Sequence, residues 1–70
     1  MNNAITIVLN GEQRTVAATT TITTLLEIEG LYEHRVAVEV NGAIVPRGKH
    51  ALHALQSGDR VEIVHALGGG

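Results

Sequence analysis

The chain of 70 residues contains no cysteine, no tryptophan and no phenylalanine, and Tyr32 is the one aromatic residue among Phe, Trp and Tyr. Without cysteine there is no disulfide, thiolate metal site, iron–sulfur cluster or cysteine nucleophile, which fits a reducing cytosol. The core must therefore consist of Val, Ile, Leu and Ala. At this length, its burial is expected to give a net stability of only about 3–5 kcal/mol.

Long apolar runs and basic clusters are also missing. No apolar stretch approaches the ~20 residues that a membrane-spanning helix needs, and residues 1–5 do not have the pattern of a signal peptide. Seven acidic and five basic residues are scattered singly and give a net charge of −2. We therefore expect a cytoplasmic protein without membrane partners. Nucleic acid is also disfavoured, because phosphates and bases would need a basic stripe and stacking aromatics.

Few side chains are candidates for catalysis or metal binding. His50 and His53 have a spacing compatible with a metal, but a site needs three or four ligands, and only Glu62 or His65 could complete it. Solvated histidines and no metal are the favoured interpretation. Ser57 is the only serine and lies in a turn without a motif that would activate it. We expect no active site within this chain.

Hydrophobic alternation and turn residues predict a β-β-α-β-β-β order. Asn10-Gly11 is typical of a type I′ hairpin turn, Asn41-Gly42 is a second turn signal, and residues 57–59 form a third turn. The predicted elements are strands 4–9 and 13–17, one short helix after Thr21, strands 36–40 and 43–45, a short helix or 3₁₀ turn within 48–55, and a last strand 60–66.

The main helix has clear end signals and one irregular turn. Thr21 is a good N-cap and Gly30 a natural residue just after the C-cap. Glu29 stands where the apolar stripe should continue, and Ile28 lies at its flank. The pattern therefore leaves the register of the last turn open.

These elements predict an α+β domain, a mixed sheet of four to five strands with one main helix packed across one face. The predicted core is Ile5, Ile7, Leu9, Leu25, Leu26, Val36, Val38, Val61 and Ile63. The opposite sheet face would carry small or apolar residues with few charges: Thr6, Val8, Ala37, Val64 and Ala66. Such a face favours docking onto a partner, although a scatter of surface valines explains it equally well.

Three glycines, Gly68 to Gly70, directly follow the last predicted strand. Glycine clusters usually serve turns, but no further element follows here. We divide the chain into a globular domain, 1–66, and a flexible glycine tail, 67–70. The tail is either a frayed terminus or cloning remnant, or a thin segment that threads into a narrow channel of another protein.

Two internal blocks together with the glycine end resemble a known family. Residues 36–47 read Val-Ala-Val-Glu-Val-Asn-Gly-Ala-Ile-Val-Pro-Arg, and residues 57–64 read Ser-Gly-Asp-Arg-Val-Glu-Ile-Val. With the Gly-Gly end, they resemble ThiS, the sulfur carrier of thiamine thiazole biosynthesis, over essentially the whole chain. The resemblance implies a ubiquitin-like β-grasp fold. Two departures are the Ile28-Glu29 order and a third terminal glycine.

The resemblance also implies a mechanism. In this family the terminal carboxylate, here that of Gly70, is adenylated by an E1-like adenylyltransferase (ThiF-type) that uses ATP and Mg. It is then converted to a thiocarboxylate with sulfur from a donor such as a cysteine desulfurase, and it passes the sulfur to thiazole synthase (ThiG-type). Leu67, Gly68 and Gly69 would thread into the partners' active sites, and Thr6, Val8, Val64 and Ala66 form the candidate docking face. The chain would be a protein co-substrate that binds no cofactor itself, not an enzyme.

Two alternatives remain open at this point. The Gly-Gly end is shared with the molybdopterin-synthase small subunit, so the sulfur could serve molybdopterin or another sulfur metabolite. A non-catalytic β-grasp interaction domain, or a protein-conjugating modifier, would also have this fold. The block at residues 36–47 favours the thiamine branch.

Overall fold

The structure, a computed structural model, describes residues 3–65. Its elements are β1 (Ala4–Leu9), β2 (Glu12–Ala17), α1 (Ile22–Ile28), β3 (Val36–Val40), β4 (Ala43–Val45), a 3₁₀ turn (Arg47–Lys49) and β5 (Arg60–His65). The predicted β-β-α-β-β-β order is confirmed, and each strand boundary that falls within residues 3–65 lies within one residue of its prediction. The predicted end of the last strand, Ala66, lies outside the described residues.

Two Asn-Gly turns close the hairpins as predicted. Asn10 and Gly11 have φ of 49° and 84°, and Asn41 and Gly42 have φ of 53° and 86°. A type I′ turn requires positive φ at both central residues, which Asn tolerates and Gly adopts freely. The turns therefore fix the antiparallel registers, with Leu9 opposite Glu12 in the first hairpin and Val40 opposite Ala43 in the second.

The strands form one mixed sheet in the order β2-β1-β5-β3-β4. β1 and β5 are parallel, and the other neighbouring pairs are antiparallel. The strand that ends the described chain, β5, is consequently the middle strand of five. The prediction of four to five strands with one main helix is confirmed.

The amino-terminal end of α1 is satisfied by the neighbouring loop. Thr21 is the N-cap, as predicted, and its Oγ1 accepts a hydrogen bond from the Thr24 amide at 3.2 Å. The amides of Ile22 and Thr23 donate to the carbonyls of His53 (3.1 Å) and His50 (3.3 Å). The first-turn donors of this helix are therefore used within the protein, as buried amides require.

The carboxyl-terminal end of α1 settles the register of its last turn, which the sequence pattern had left open. Glu29 is the C-cap, Gly30 has φ of 74°, and the Gly30 and Leu31 amides donate to Glu27 (3.1 Å) and Leu26 (2.8 Å). This is the Schellman pattern that glycine permits. Glu29 thus lies beyond the last helical turn and does not interrupt the apolar stripe.

Glu29 has a tertiary partner. Its carboxylate forms a bidentate ion pair with Arg14 of edge strand β2. That hydrogen bond, followed by the charge attraction, raises the pKa of Arg14 above its ordinary value. The pair links the sheet edge to the helix end, while neighbouring Ile28 points outward with 57% of its surface exposed.

The core lies between α1 and the sheet. All nine predicted core residues belong to it: seven are buried, and Ile5 and Val36 pack against the cluster while partly buried. The prediction omitted five further buried members: Val16, Ile22, Val40, Val45 and Leu55.

The segment after β4 is a 3₁₀ turn followed by irregular turns, one of the two predicted alternatives. The two leucines of this segment differ in burial, because Leu55 is 2% exposed whereas Leu52 is 86% exposed. The expectation of a solvated histidine is wrong for His50, which is buried because its Nε2 hydrogen-bonds the Val45 carbonyl at 2.9 Å. The His50 ring thus joins the end of β4 to the loop that caps α1.

Among residues 3–65, no helix has the length and apolar character needed to cross a bilayer. Within the same range, no group of three or more His, Cys, Asp or Glu is arranged to hold a metal ion.

Candidate docking face and carboxyl-terminal strand

The strand that leads to the glycine tail is held on both sides. β5 pairs with β1 through Val8 and Leu9 and with β3 over residues 61–65, from Val40 opposite Val61 to Val36 opposite His65. Five residues to which we assigned roles lie outside the described residues: Ala66 of the candidate docking face, and Leu67, Gly68, Gly69 and Gly70 of the tail. Their roles stay predictions, and the described residues show what holds the strand before them.

We call the sheet surface opposite α1 the outer face. Because alternate side chains point to opposite sides of a strand, Arg60, Glu62 and Val64 of β5 lie on it while Val61 and Ile63 are buried. The predicted docking residues Thr6 and Val8 lie on the same face of neighbouring β1 and are half-buried. Val64 is 55% exposed.

The candidate docking residues lie on one face of the sheet but do not form one contiguous patch. Val8 is in register with Arg60, so it lies four positions from Val64, or about 13 Å along the strand. Ala37 is the cross-strand neighbour of Val64. The apolar part of the outer face is therefore divided into a patch at Val8 and a patch at Val64 and Ala37.

The expectation of few charges on this face is wrong. Arg60 and Glu62 of β5 occupy it, and Glu39 of β3 stands directly opposite Glu62. The sequence alternation had placed Glu39 and Glu62 on that side of their strands, but only the β3–β5 register makes them neighbours. Like charges directly opposite each other cost up to about 1 kcal/mol, and neither carboxylate has an ion-pair partner within residues 3–65.

Sequence reasoning also missed Ile44. It lies opposite Glu39 on edge strand β4 and is 68% exposed, whereas the next residue, Val45, is buried in the core. The outer face thus presents apolar groups around a central pair of carboxylates. A short strand of three residues gives too little alternation to assign its faces from sequence.

The last described residue of β5 points to the helix side of the sheet. Its register partner, Val36, packs against the core, and the His65 ring lies 5.8 Å from the ring of His34, centroid to centroid, at 58°. The strand therefore ends between an aromatic contact on the helix side and Val64 on the outer face.

Comparisons with known proteins agree with this architecture. Residues 7–70 match the model of the ThiS family. The crystal structure of the thiamine biosynthesis protein ThiS from Geobacter metallireducens superposes with a TM-score of 0.82 at 30% identity, covering 94% of this chain and all of that one.

Two curated relatives are larger proteins. Thiazole synthase of Paramagnetospirillum magneticum is 44% identical over 64 residues, which is 91% of this chain and 20% of that protein. Thiazole synthase of Magnetococcus marinus is 45% identical over 62 residues, 89% of this chain and 19% of that protein. The chain thus spans about a fifth of the length of these relatives. Since the family match covers nearly all its residues, the chain belongs to the ThiS family of small sulfur carriers, with the ubiquitin-like β-grasp fold.

Proposed function

We propose that this chain carries sulfur for thiamine thiazole formation as a thiocarboxylate on Gly70. The observation that carries the proposal is the family match, which extends through Gly70 and so includes the three glycines. The fold supports it, because the tail follows the middle strand of the sheet and not an edge strand. The chain is then a co-substrate of other enzymes, and its folded part serves to present one carboxylate.

The chemistry explains why activation has to come first. An α-carboxyl group has a pKa of about 3.5, so at neutral pH it is an anion and a poor electrophile. In the proposed first step a Gly70 carboxylate oxygen attacks the α-phosphorus of ATP and pyrophosphate leaves. A sulfide-level nucleophile then attacks the carbonyl carbon and AMP leaves, giving the thiocarboxylate. If the donor is a persulfide, as on a cysteine desulfurase, a second thiol must cleave the S–S bond.

The proposal assigns these steps to partners. An E1-like adenylyltransferase of the ThiF type binds ATP and Mg²⁺ and aligns the carboxylate. A thiazole synthase of the ThiG type accepts the sulfur, which is supported by the two relatives named thiazole synthase that contain a segment 44–45% identical to this chain. Because the activation consumes ATP, we place the carrier in the cytoplasm.

Intact-mass spectrometry tests the proposal directly. The carrier is incubated with the adenylyltransferase, ATP, Mg²⁺ and a sulfur donor, and a parallel reaction lacks ATP. The expected result is the mass increase of one oxygen-to-sulfur exchange, localised to Gly70 by fragmentation and absent without ATP. An unchanged mass, with a partner shown to be active on another carrier, would reject the proposal.

Tail contacts alone would bind a partner only weakly. Ordering a residue costs about 1–2 kcal/mol. Ordering the three glycines therefore opposes binding by several kcal/mol. We propose that the outer face supplies the remaining affinity, with Val64 nearest the tail among its described residues. A partner that covers this face has to neutralise Glu39 and Glu62, because an unpaired buried charge is costly. The matching partner surface is therefore apolar with a central Arg or Lys.

Replacing Val64 with Asp tests this face. Placing an unpaired carboxylate in the interface is expected to raise KM for the adenylyltransferase about tenfold or more, equivalent to at least about 1.4 kcal/mol, with kcat little changed. Ile28→Asp is the matched control, because Ile28 is 57% exposed against 55% for Val64 and lies on the helix. Equal KM values for the two variants would show that the outer face does not dock.

A further inference from the structure

Two asparagine side chains hold β5, one at Arg60 and one at Ile63. The Asn41 amide N–H donates to the Arg60 carbonyl at 2.7 Å. Its side-chain Oδ1 accepts the Arg60 amide N–H at 2.9 Å, and its Nδ2 donates to Asp59 Oδ1 at 3.0 Å. The second Asn-Gly turn therefore fixes the start of β5 with its side chain as well as with its backbone.

Asn10 forms equivalent backbone and side-chain hydrogen bonds farther along β5. Its backbone N–H donates to the Val61 carbonyl at 2.9 Å. Its side-chain Oδ1 accepts the Ile63 N–H at 2.8 Å, and its Nδ2 donates to the Ile63 carbonyl at 3.3 Å. The β1 backbone leaves the sheet at Asn10 to form the hairpin turn, and the amide of its side chain takes the place of the next strand residue in the ladder.

The Asn10 contact lies closer to the carboxyl-terminal end of β5 than the Asn41 contact. Arg60 is the first residue of β5, whereas Ile63 is two residues before His65, the last described one. Beyond Ile63 the pairings of β5 that the structure describes run to β3 alone, through Val64 and His65. Asn10 is thus the last support from the β1 side before the segment that leads to the tail.

We infer that Asn10 is a positioning residue for sulfur loading, because it fixes the direction in which β5 leaves the sheet toward Gly70. The inference rests on the proposed function. Without the side-chain amide of Asn10, the Ile63 side chain stays in the core. The backbone N–H and carbonyl of Ile63 lose their hydrogen bonds on the β1 side. Residues 63–65 then sample more orientations, and the activating enzyme must restrict them before the carboxylate reaches its catalytic groups.

Asn10→Gly and Asn41→Gly form a matched pair for the test. Both positions have positive φ, 49° and 53°, which glycine adopts without strain, so each variant keeps its turn and loses only the side-chain amide. Hydrogen exchange followed by NMR reports the local effect. The Ile63 amide is expected to exchange about tenfold faster in Asn10→Gly and at the parent rate in Asn41→Gly. The Arg60 amide should show the reverse.

Kinetics separate positioning from a general loss of stability. At a temperature where both variants are fully folded, kcat/KM for thiocarboxylation is expected to fall about tenfold in Asn10→Gly and less than twofold in Asn41→Gly. Asn10→Asp keeps an acceptor for the Ile63 N–H but cannot donate to its carbonyl. The activity of Asn10→Asp should lie between those of the parent and Asn10→Gly. If Asn10→Gly folds poorly, Asn10→Asp still tests the inference.

Several outcomes would overturn the inference. Equal losses of activity in Asn10→Gly and Asn41→Gly would show a purely structural role. Faster exchange at Ile63 with parent activity would show that the strand direction does not matter for loading. Failure of the parent chain itself to become thiocarboxylated would reject the proposed function together with this inference, whereas parent-like exchange at Ile63 in Asn10→Gly would reject the inference alone.

Discussion

Deletion of Gly70 is expected to lower thiocarboxylation at least about 100-fold, although the shortened chain still ends in two glycines. One residue fewer withdraws the carboxylate by about 3.5 Å, and a misplacement of about 1 Å at a reacting centre can already cost about 100-fold in rate. The loss should appear in kcat and leave KM nearly unchanged, because the docking face remains. The measurement is single-turnover formation of the adenylate and the thiocarboxylate by intact mass.

Gly68→Ala is the control for this deletion. It keeps the tail at full length and adds one methyl group at the glycine farthest from the carboxylate, so a loss of less than tenfold is expected. Thermal unfolding of both variants should match that of the parent, since both changes lie outside residues 3–65 and leave the core residues unaltered. If the deletion variant loads within tenfold of the parent, the reacting carboxylate is not held at a fixed distance from the folded domain, and the threading model is wrong.

Features of the fold that depend on neighbouring residues could be predicted from the sequence. Asn10-Gly11 needs only its own φ preferences to form a turn, and Thr21 and Gly30 cap a helix whose length their spacing defines. The alternation of β1 and β5 assigned Ile7 and Val61 to the core for the same reason. Each signal lies within a few residues, so no knowledge of the tertiary structure was required.

Features that depend on distant partners could not be predicted. The amide of Asn10 bonds a residue 53 positions away, and the sequence gives no sign that this asparagine does more than form a turn. The ion pair of Glu29 with Arg14 joins residues 15 positions apart, and no local pattern indicates it. The carbonyls of His50 and His53 accept hydrogen bonds from amides of α1, and the Leu52 side chain between them in sequence is exposed.

The docking face shows the same limit. Alternation correctly assigned Val8 and Val64 to the outer face of the sheet, because successive side chains of a strand point to opposite sides. The opposition of Glu39 to Glu62 depends on the pairing of β3 with β5 and on its register. A sequence pattern therefore identifies which residues a face contains, whereas the charge at its centre follows only from the strand order.

The second large effect is expected in the core. Leu25 of α1 is fully buried against the sheet, at 0% exposure. Replacing a buried leucine with alanine costs about 2–5 kcal/mol, and a domain of this size has a net stability of only about 3–5 kcal/mol. Leu25→Ala should therefore lower the unfolding midpoint by at least about 10 °C or abolish the cooperative transition, as measured by circular dichroism.

Leu52→Ala is the matched control, because it makes the same chemical change at a side chain that is 86% exposed. Its free energy of unfolding should stay within about 0.5 kcal/mol of the parent. Similar losses in both variants would contradict the assignment of the core to the α1–sheet interface. Because β5 belongs to the same core through Val61 and Ile63, unfolding also releases the strand that carries the tail. Thiocarboxylation of Leu25→Ala should accordingly fall in proportion to its unfolded fraction.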